Sequence, residues 1–198
     1  MIADTLYKTI RSAILDKLAA HLPKELTYHS VHHTVDVETQ AERIALNEHI
    51  NEHELFLLKL ACLYHDSGFL TTYREHEIAG CKLAREELPS YGIKPGELDI
   101  ICGMIMATRI PQTPLNKLEE IICDADLDYL GRNDFIPISK NLYLELKAKG
   151  FVHSENDWNI IQVNFFKQHT YFTGTDKKLR AHVKQQHLEM IEALLEKK

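Results

Sequence analysis

Apolar residues recur at three- and four-residue steps along most of the chain, and proline, glycine and polar clusters interrupt them. From about residue 5 to residue 22, Leu6, Ile10, Ala13, Ile14 and Leu18 form one stripe, and Pro23 ends it. A second stretch runs through Ala41, Ile44 and Ala45 to about Asn47. Asn51 and Glu54 have capping-box spacing and open a third, which puts Leu55, Leu58, Ala61 and Cys62 on its buried side. Helices are then expected over about 75–88 and 96–108, the second started by Pro95. Another is expected to start at a Thr113 cap with Pro114 in the first turn. Stretches 135–147 and 154–169 read as amphipathic helices, the latter with Ser154 and Asp157 as a capping box and Trp158, Ile161 and Phe165 buried. A charged helix over 176–198 closes the chain, packing on the domain or on a second copy as a homodimer. No strand-type alternation persists, so the expected fold class is all-α.

Composition narrows the field. A chain of 198 residues with 44% hydrophobic side chains can bury a full core, and its length fits one domain. The net charge of -6, with Lys and Arg scattered, gives no footprint for a nucleic-acid duplex or an anionic membrane. No apolar run approaches the ~18 residues of a membrane span, and the first residues lack a signal-peptide pattern, so a cytoplasmic location is expected. The four cysteines, Cys62, Cys81, Cys102 and Cys123, lie far apart in apolar stretches and read as buried free thiols.

Candidate chemistry centres on Leu63-Tyr64-His65-Asp66-Ser67-Gly68. An imidazole and a carboxylate at a helix end, followed by a glycine able to stop that helix in a left-handed turn, offer nitrogen and oxygen to one point, as a metal site needs. If the second helix begins near His29, then His29, His33 and Asp36 share one face. His76 opens a helix, where a neutral ligand, a phosphate-facing donor and plain exposure are all open readings. Arg109 is either a solvated helix end or a guanidinium aimed at a phosphate. Among Asp124, Asp126 and Asp128, flanked by Ile121, Ile122, Ala125 and Leu130, at least one must face the interior, where a metal ion is one partner that offsets its burial. The aromatic cluster Phe166, His169, Tyr171 and Phe172 is either core packing or a substrate lid.

His33, the His65-Asp66 doublet and Asp126, in that order on separate helices, resemble the ligand set of the HD superfamily of metal-dependent phosphohydrolases. The stretch Tyr28-His29-x-x-x-His33-Thr34-x-Asp36-Val37 is similar to the first motif of its cyclic-nucleotide phosphodiesterase branch. His76-Glu77 and the Asp-x-Asp of residues 124–126 resemble elements of its deoxynucleotide triphosphohydrolase branch. The likeness covers roughly residues 28–131, which implies an HD-type multi-helix bundle over about 25–135 with a helical extension over about 135–198. It implies His33, His65, Asp66 and Asp126 as metal ligands and a phosphoester of a nucleotide or small phosphorylated metabolite as substrate. The alternative is a signalling module of the same fold that binds nucleotide or metal without turnover. Residues 100–110 lack the extra histidines with which members of the superfamily hold further metals.

Two imidazoles and two carboxylates suit Mn, Fe, Ni or Zn better than Mg. Such an ion lowers the pKa of a bound water toward neutrality, and Asp66 would orient that water. His29 or His76 would protonate the leaving oxygen. Arg109, Arg132 and Lys167 are the candidate phosphate clamps. Asp36 and Asp124 are expected to orient ligating imidazoles or the neighbouring helix.

Overall fold

The computed structural model of the chain describes residues 2–196, and the side chains of residues 4–196. Nine α-helices, three short 3₁₀ turns and no strand occur among them: α1 Ile2–His21, α2 Val31–Asn47, α3 Glu52–Tyr64, α4 His76–Glu87, α5 Pro95–Ala107, α6 Lys117–Asp126, α7 Phe135–Ala148, α8 Glu155–Gln168 and α9 Gly174–Glu196. The all-α expectation holds. None of these helices is long and apolar enough to cross a membrane.

Helix α3 lies at the centre. Leu57, Leu58 and Leu60 through Tyr64 are all buried, so its faces meet α1, α2 and α5 rather than water. Asn51 and Glu54 form the capping box that fixes its start, Asn51 Oδ1 accepting from the Glu54 amide at 2.9 Å. Its far end delivers His65 and Asp66. These two residues therefore sit on the most deeply packed element of the fold, where their positions are set by apolar contacts around the helix.

A second apolar cluster joins Tyr28, Leu127, Tyr129 and Leu130 to Phe135, Val163, Phe166, Leu188 and Ile191 of the last three helices. A salt-bridge network ties α2 and α9 to the turn after α6: the fully buried Asp128 accepts from Arg43 at 2.7 Å, Arg180 at 2.8 Å and Arg132 at 3.3 Å. Burying a carboxylate is tolerable here because three guanidinium groups share it. Asp124 anchors the entry to α9 by accepting from the amides of Phe172 and Thr173, both at 2.8 Å, and from the Thr173 hydroxyl at 2.6 Å.

Several local expectations are corrected. Helix α2 begins at Val31 after an extended Ser30, so His29 precedes the helix and shares no helical face with His33. Helix α6 is capped by Asn116, whose side chain accepts from the Glu119 amide at 3.1 Å. The expected Thr113 cap lies in the preceding loop, because Asn116 with Glu119 three residues on makes the stronger start signal. Ile161 is 43% exposed rather than buried. Gly68 adopts no left-handed conformation. It lies in a 3₁₀ turn, Ser67–Leu70, where a Cβ would stand 1.9 Å from the His76 carbonyl oxygen.

Candidate metal centre

Two glycines let α4 press onto the His65-Asp66 turn. A Cβ at Gly68 would meet the His76 carbonyl, and one at Gly80 would lie 2.7 Å from the Tyr64 carbonyl oxygen. Glu75 adopts a left-handed backbone to turn the chain into α4. The close approach sets His76 Nε2 3.4 Å from Asp66 Oδ1 and 3.7 Å from Glu77 Oε1.

His33 from α2, His65 and Asp66 present donor atoms that all lie within 4.8 Å of one another. His65 Nε2 is 3.4 Å from His33 Nε2 and 3.2 Å from Asp66 Oδ2, and His33 Nε2 is 3.4 Å from Asp66 Oδ2. Asp126, the last residue of α6, joins them with Oδ1 3.0 Å from His33 Nε2 and 3.7 Å from His65 Nε2. The four expected ligands therefore converge from α2, α6 and the turn after α3.

The donor chemistry fits a divalent ion. His65 Nδ1 lies 2.8 Å from the Cys62 carbonyl oxygen, so its hydrogen points there and the Nε2 lone pair faces the cluster. Asp66 Oδ2 is buried without a hydrogen-bond partner although two imidazole nitrogens flank it. Separations of 3.0 to 3.7 Å are also those of neighbouring donors around an ion with bonds of ~2.1 Å. The titration of the cluster points the same way. Burial opposes charge on His65, yet Asp66 and Asp126 hold its pKa well above the ordinary imidazole value. Burial also opposes charge on the carboxylates, but His65 and His76 hold Asp66 well below the usual range, while His33 and His65 hold Asp126 at about 2. Two buried carboxylates demand positive charge at this point.

Beside the ligands opens a cavity of about 290 Å³. His29, Asp66, His76, Glu77 and Asp126 form its polar end, and the remainder is mostly apolar, with Leu142 and Leu146 of α7 and Phe165 and Phe166 of α8 on the far wall. The ring of Phe69 is stacked between His29 at 4.3 Å and His76 at 4.0 Å, fixing both imidazoles.

Glu145 of α7 is the functional group that the sequence reading passed over. Fully buried, it pairs with His29 Nδ1 through Oε1, accepts from the Tyr73 hydroxyl at 3.1 Å, and accepts from the amides of Tyr28 at 2.9 Å and His29 at 3.1 Å. Burial opposes a charge on His29, but Glu145 and Asp66 outweigh it and raise its pKa. A signal was present: Glu145 follows Leu142 by three residues and Ile138 by seven, on the apolar stripe of its helix.

Three candidate clamps have different surroundings. Arg109 directly follows Thr108 of the cavity wall; its Nε is 3.7 Å from Glu77 Oε2 and its Nη2 is buried without an acceptor. Arg132 is committed to Asp36 at 2.8 Å, Asp134 at 2.7 Å and Asp128, outside the cavity lining. Lys167 pairs with Glu192 on the outer side of α8 at 2.7 Å and is 56% exposed. None of the three lines the cavity itself; Arg109 lies between the lining residues Thr108 and Ile110, whereas Arg132 and Lys167 are paired elsewhere. Asp36 and Asp124 orient Arg132 and the α9 entry respectively, and neither touches a ligating imidazole. In the aromatic cluster, Tyr171 is core, Phe166 is buried and also lines the metal-site cavity, and His169 and Phe172 line a second, smaller cavity.

Comparison with known proteins adds a family. The HD domain matches residues 31–128, which span all four candidate ligands. Two solved structures share the fold. A predicted HD superfamily hydrolase from an uncultured Thermotogales bacterium has 21% identity and a TM-score of 0.63, over 94% of this chain and 91% of that one. Bacillus subtilis YpgQ in complex with ADP has 19% identity and a TM-score of 0.66, over 98% and 96%. No curated protein matches the sequence.

Proposed function

This chain is an HD-domain protein, and we propose that it is a metal-dependent phosphohydrolase acting on a nucleotide or small phosphorylated metabolite. The observation that carries the reading is Asp66 Oδ2, buried without a hydrogen bond between two imidazole nitrogens at 3.2 and 3.4 Å. Buried carboxylate oxygens ordinarily accept a hydrogen bond, so one that has only ion-pair contacts to two imidazoles favours a further partner between them. His33, His65, Asp66 and Asp126 would hold the ion, with Mn, Fe, Ni or Zn favoured by the mixed nitrogen and oxygen donors and Mg a poorer match. Bound there, the ion would supply a hydroxide at neutral pH and polarise the phosphoryl group.

The chain's own residues divide the rest of the work. His29, kept protonated by Glu145, donates a proton to the leaving oxygen. Glu145 is a positioning residue, because it reaches the substrate only through His29. His76, 3.4 Å from Asp66, is placed to hold a phosphate oxygen or to relay a proton at the same end of the cavity. Arg109 has guanidinium hydrogens to spare for a phosphate oxygen, and of the three clamp candidates it is the one this reading keeps. One guanidinium and two imidazoles suit a single phosphoryl group better than a triphosphate.

The apolar wall would take the organic part of the substrate. In this reading the C-terminal extension is part of the same domain and site, which is supported by the wall and Glu145 that α7 and α8 supply. That YpgQ was solved with ADP supports a nucleotide as one candidate occupant. A hydrolysis screen over aryl phosphates, cyclic nucleotides and nucleoside phosphates with added Mn tests the reading. Mn-dependent phosphate release that disappears in Asp66→Ala supports it. Metal binding without turnover in any class would favour the non-catalytic module.

A further inference from the structure

We propose that a second cavity, walled by residues 110–112 and 165–172, binds a neutral planar heterocycle whose donor–acceptor edge is read by His169 and Gln112. This cavity measures about 190 Å³ and shares Ile110, Leu127 and Phe165 with the metal-site cavity, so the two lie side by side. His169 is 9% exposed, lines the cavity, and neither ring nitrogen has a hydrogen-bond partner. Gln112 lines it too, and its Oε1 is buried and unpartnered. The Gln112 amide is oriented by its nitrogen, which donates to the Cys123 carbonyl at 3.1 Å and leaves the oxygen as the open acceptor. Buried polar atoms are ordinarily paired, so three of them around one cavity point to an occupant with complementary groups.

The character of that occupant follows from the lining. No Lys, Arg, Asp or Glu contributes to it, which disfavours a charged ligand. Burial, and after it the nearby Lys184 cation, push the His169 pKa down to about 3, so its ring is neutral and offers one N–H and one lone pair. Stacking against Phe165 at 5.9 Å and an edge contact with Tyr171 at 4.8 Å hold the ring in place. Phe165 and Phe172 add flat apolar surface. The volume lies below the ~300–1,000 Å³ of sites for drug-sized ligands, so it admits a single ring system. A nucleobase or a carboxamide-bearing pyridine has the required shape, neutrality and paired donor and acceptor.

Binding here does not depend on the phosphohydrolase reading, since no metal ligand lines this cavity. The test is calorimetry and saturation-transfer NMR on the full chain with uracil and nicotinamide as probes, with and without Mn. At least one probe should bind saturably at one site regardless of Mn. His169→Phe keeps the stacked ring but removes both nitrogens, and Gln112→Met removes the acceptor; each should weaken binding about tenfold or more. Circular dichroism establishes that the variants are folded. No saturable binding of either probe to the unaltered chain, or equal binding by both folded variants, would overturn the proposal.

Discussion

Replacing Glu145 by Gln converts one buried carboxylate to an amide of nearly the same shape, and the consequence falls on His29. Glu145 Oε2 takes the amides of Tyr28 and His29, while Oε1 faces His29 Nδ1 and the Tyr73 hydroxyl. A Gln that keeps its oxygen on the two backbone amides must turn its NH₂ to the ring. His29 then has to present a lone pair at Nδ1 and loses its charge-assisted hydrogen bond, a contribution of about 1.5–3 kcal/mol. At 1.36 kcal/mol per pH unit, the His29 pKa falls by about 1–2 units. Positioned general acids contribute ~10²–10⁴ in rate, so kcat for an alkyl phosphate should drop by about 10² at neutral pH. A nitrophenyl phosphate, whose leaving group needs no proton, should lose less than about tenfold. The assay is a pH–rate profile of both substrates with Mn, beside metal content. The basic limb should move down by about 1–2 units for the alkyl ester, with metal content unchanged. An unmoved limb, or equal slowing of both substrates, would refute His29 as the proton donor and Glu145 as its positioning residue.

Gly68→Ala forces a methyl group into the His76 carbonyl, so α4 must retreat; a loss of several kcal/mol in chemical denaturation and of hydrolytic activity is expected, about 1–3 kcal/mol being usual for overpacking alone. Arg132→Met should lower stability by about 1–3 kcal/mol, because Asp128 keeps Arg43 and Arg180, while KM stays unchanged; a raised KM would return Arg132 to the substrate site. His169 gives a pH dependence: its unfolded-state pKa is near ~6.5 and its folded value about 3. Stability is complete above the first value and declines as pH falls toward the second, because only the unfolded chain takes the proton, by about 2 kcal/mol at pH 5. Urea titrations across pH 7 to 4 should show that decline flattened in His169→Phe, and an identical slope would remove His169 as its source.

The helices were legible because their signals are local. Capping boxes at Asn51 and Ser154 and the apolar stripes of α1 and α3 involve residues within one or two turns of each other. The candidate ligand set came from its likeness to the HD superfamily's motifs; the chain's own pattern required only that one Asp among residues 124–128 face the interior, and the structure brings all four candidates together. What escaped depends on distant partners. Glu145 meets His29 across 116 positions, so its place on the apolar stripe of α7 marks it as buried but does not reveal its partner. Gly68 looked like a helix stop, since only the crossing of α4 reveals that its missing side chain makes room for His76. Arg132 and Lys167 were free cations in the sequence and are paired ones in the fold, with Asp36, Asp128, Asp134 and Glu192. Charge type can be read along a chain, whereas the pairing that decides whether a charge is available cannot.

Metal content measured by plasma mass spectrometry, after reconstitution with Mn and removal of free ion, is the most direct test of the metal centre. The unaltered chain should retain about one equivalent, and Asp126→Ala and His33→Ala should each lose affinity by tenfold or more while keeping a helical circular-dichroism spectrum. No retained metal in the unaltered chain, or undiminished binding in both variants, would contradict the metal centre and the hydrolytic function built on it.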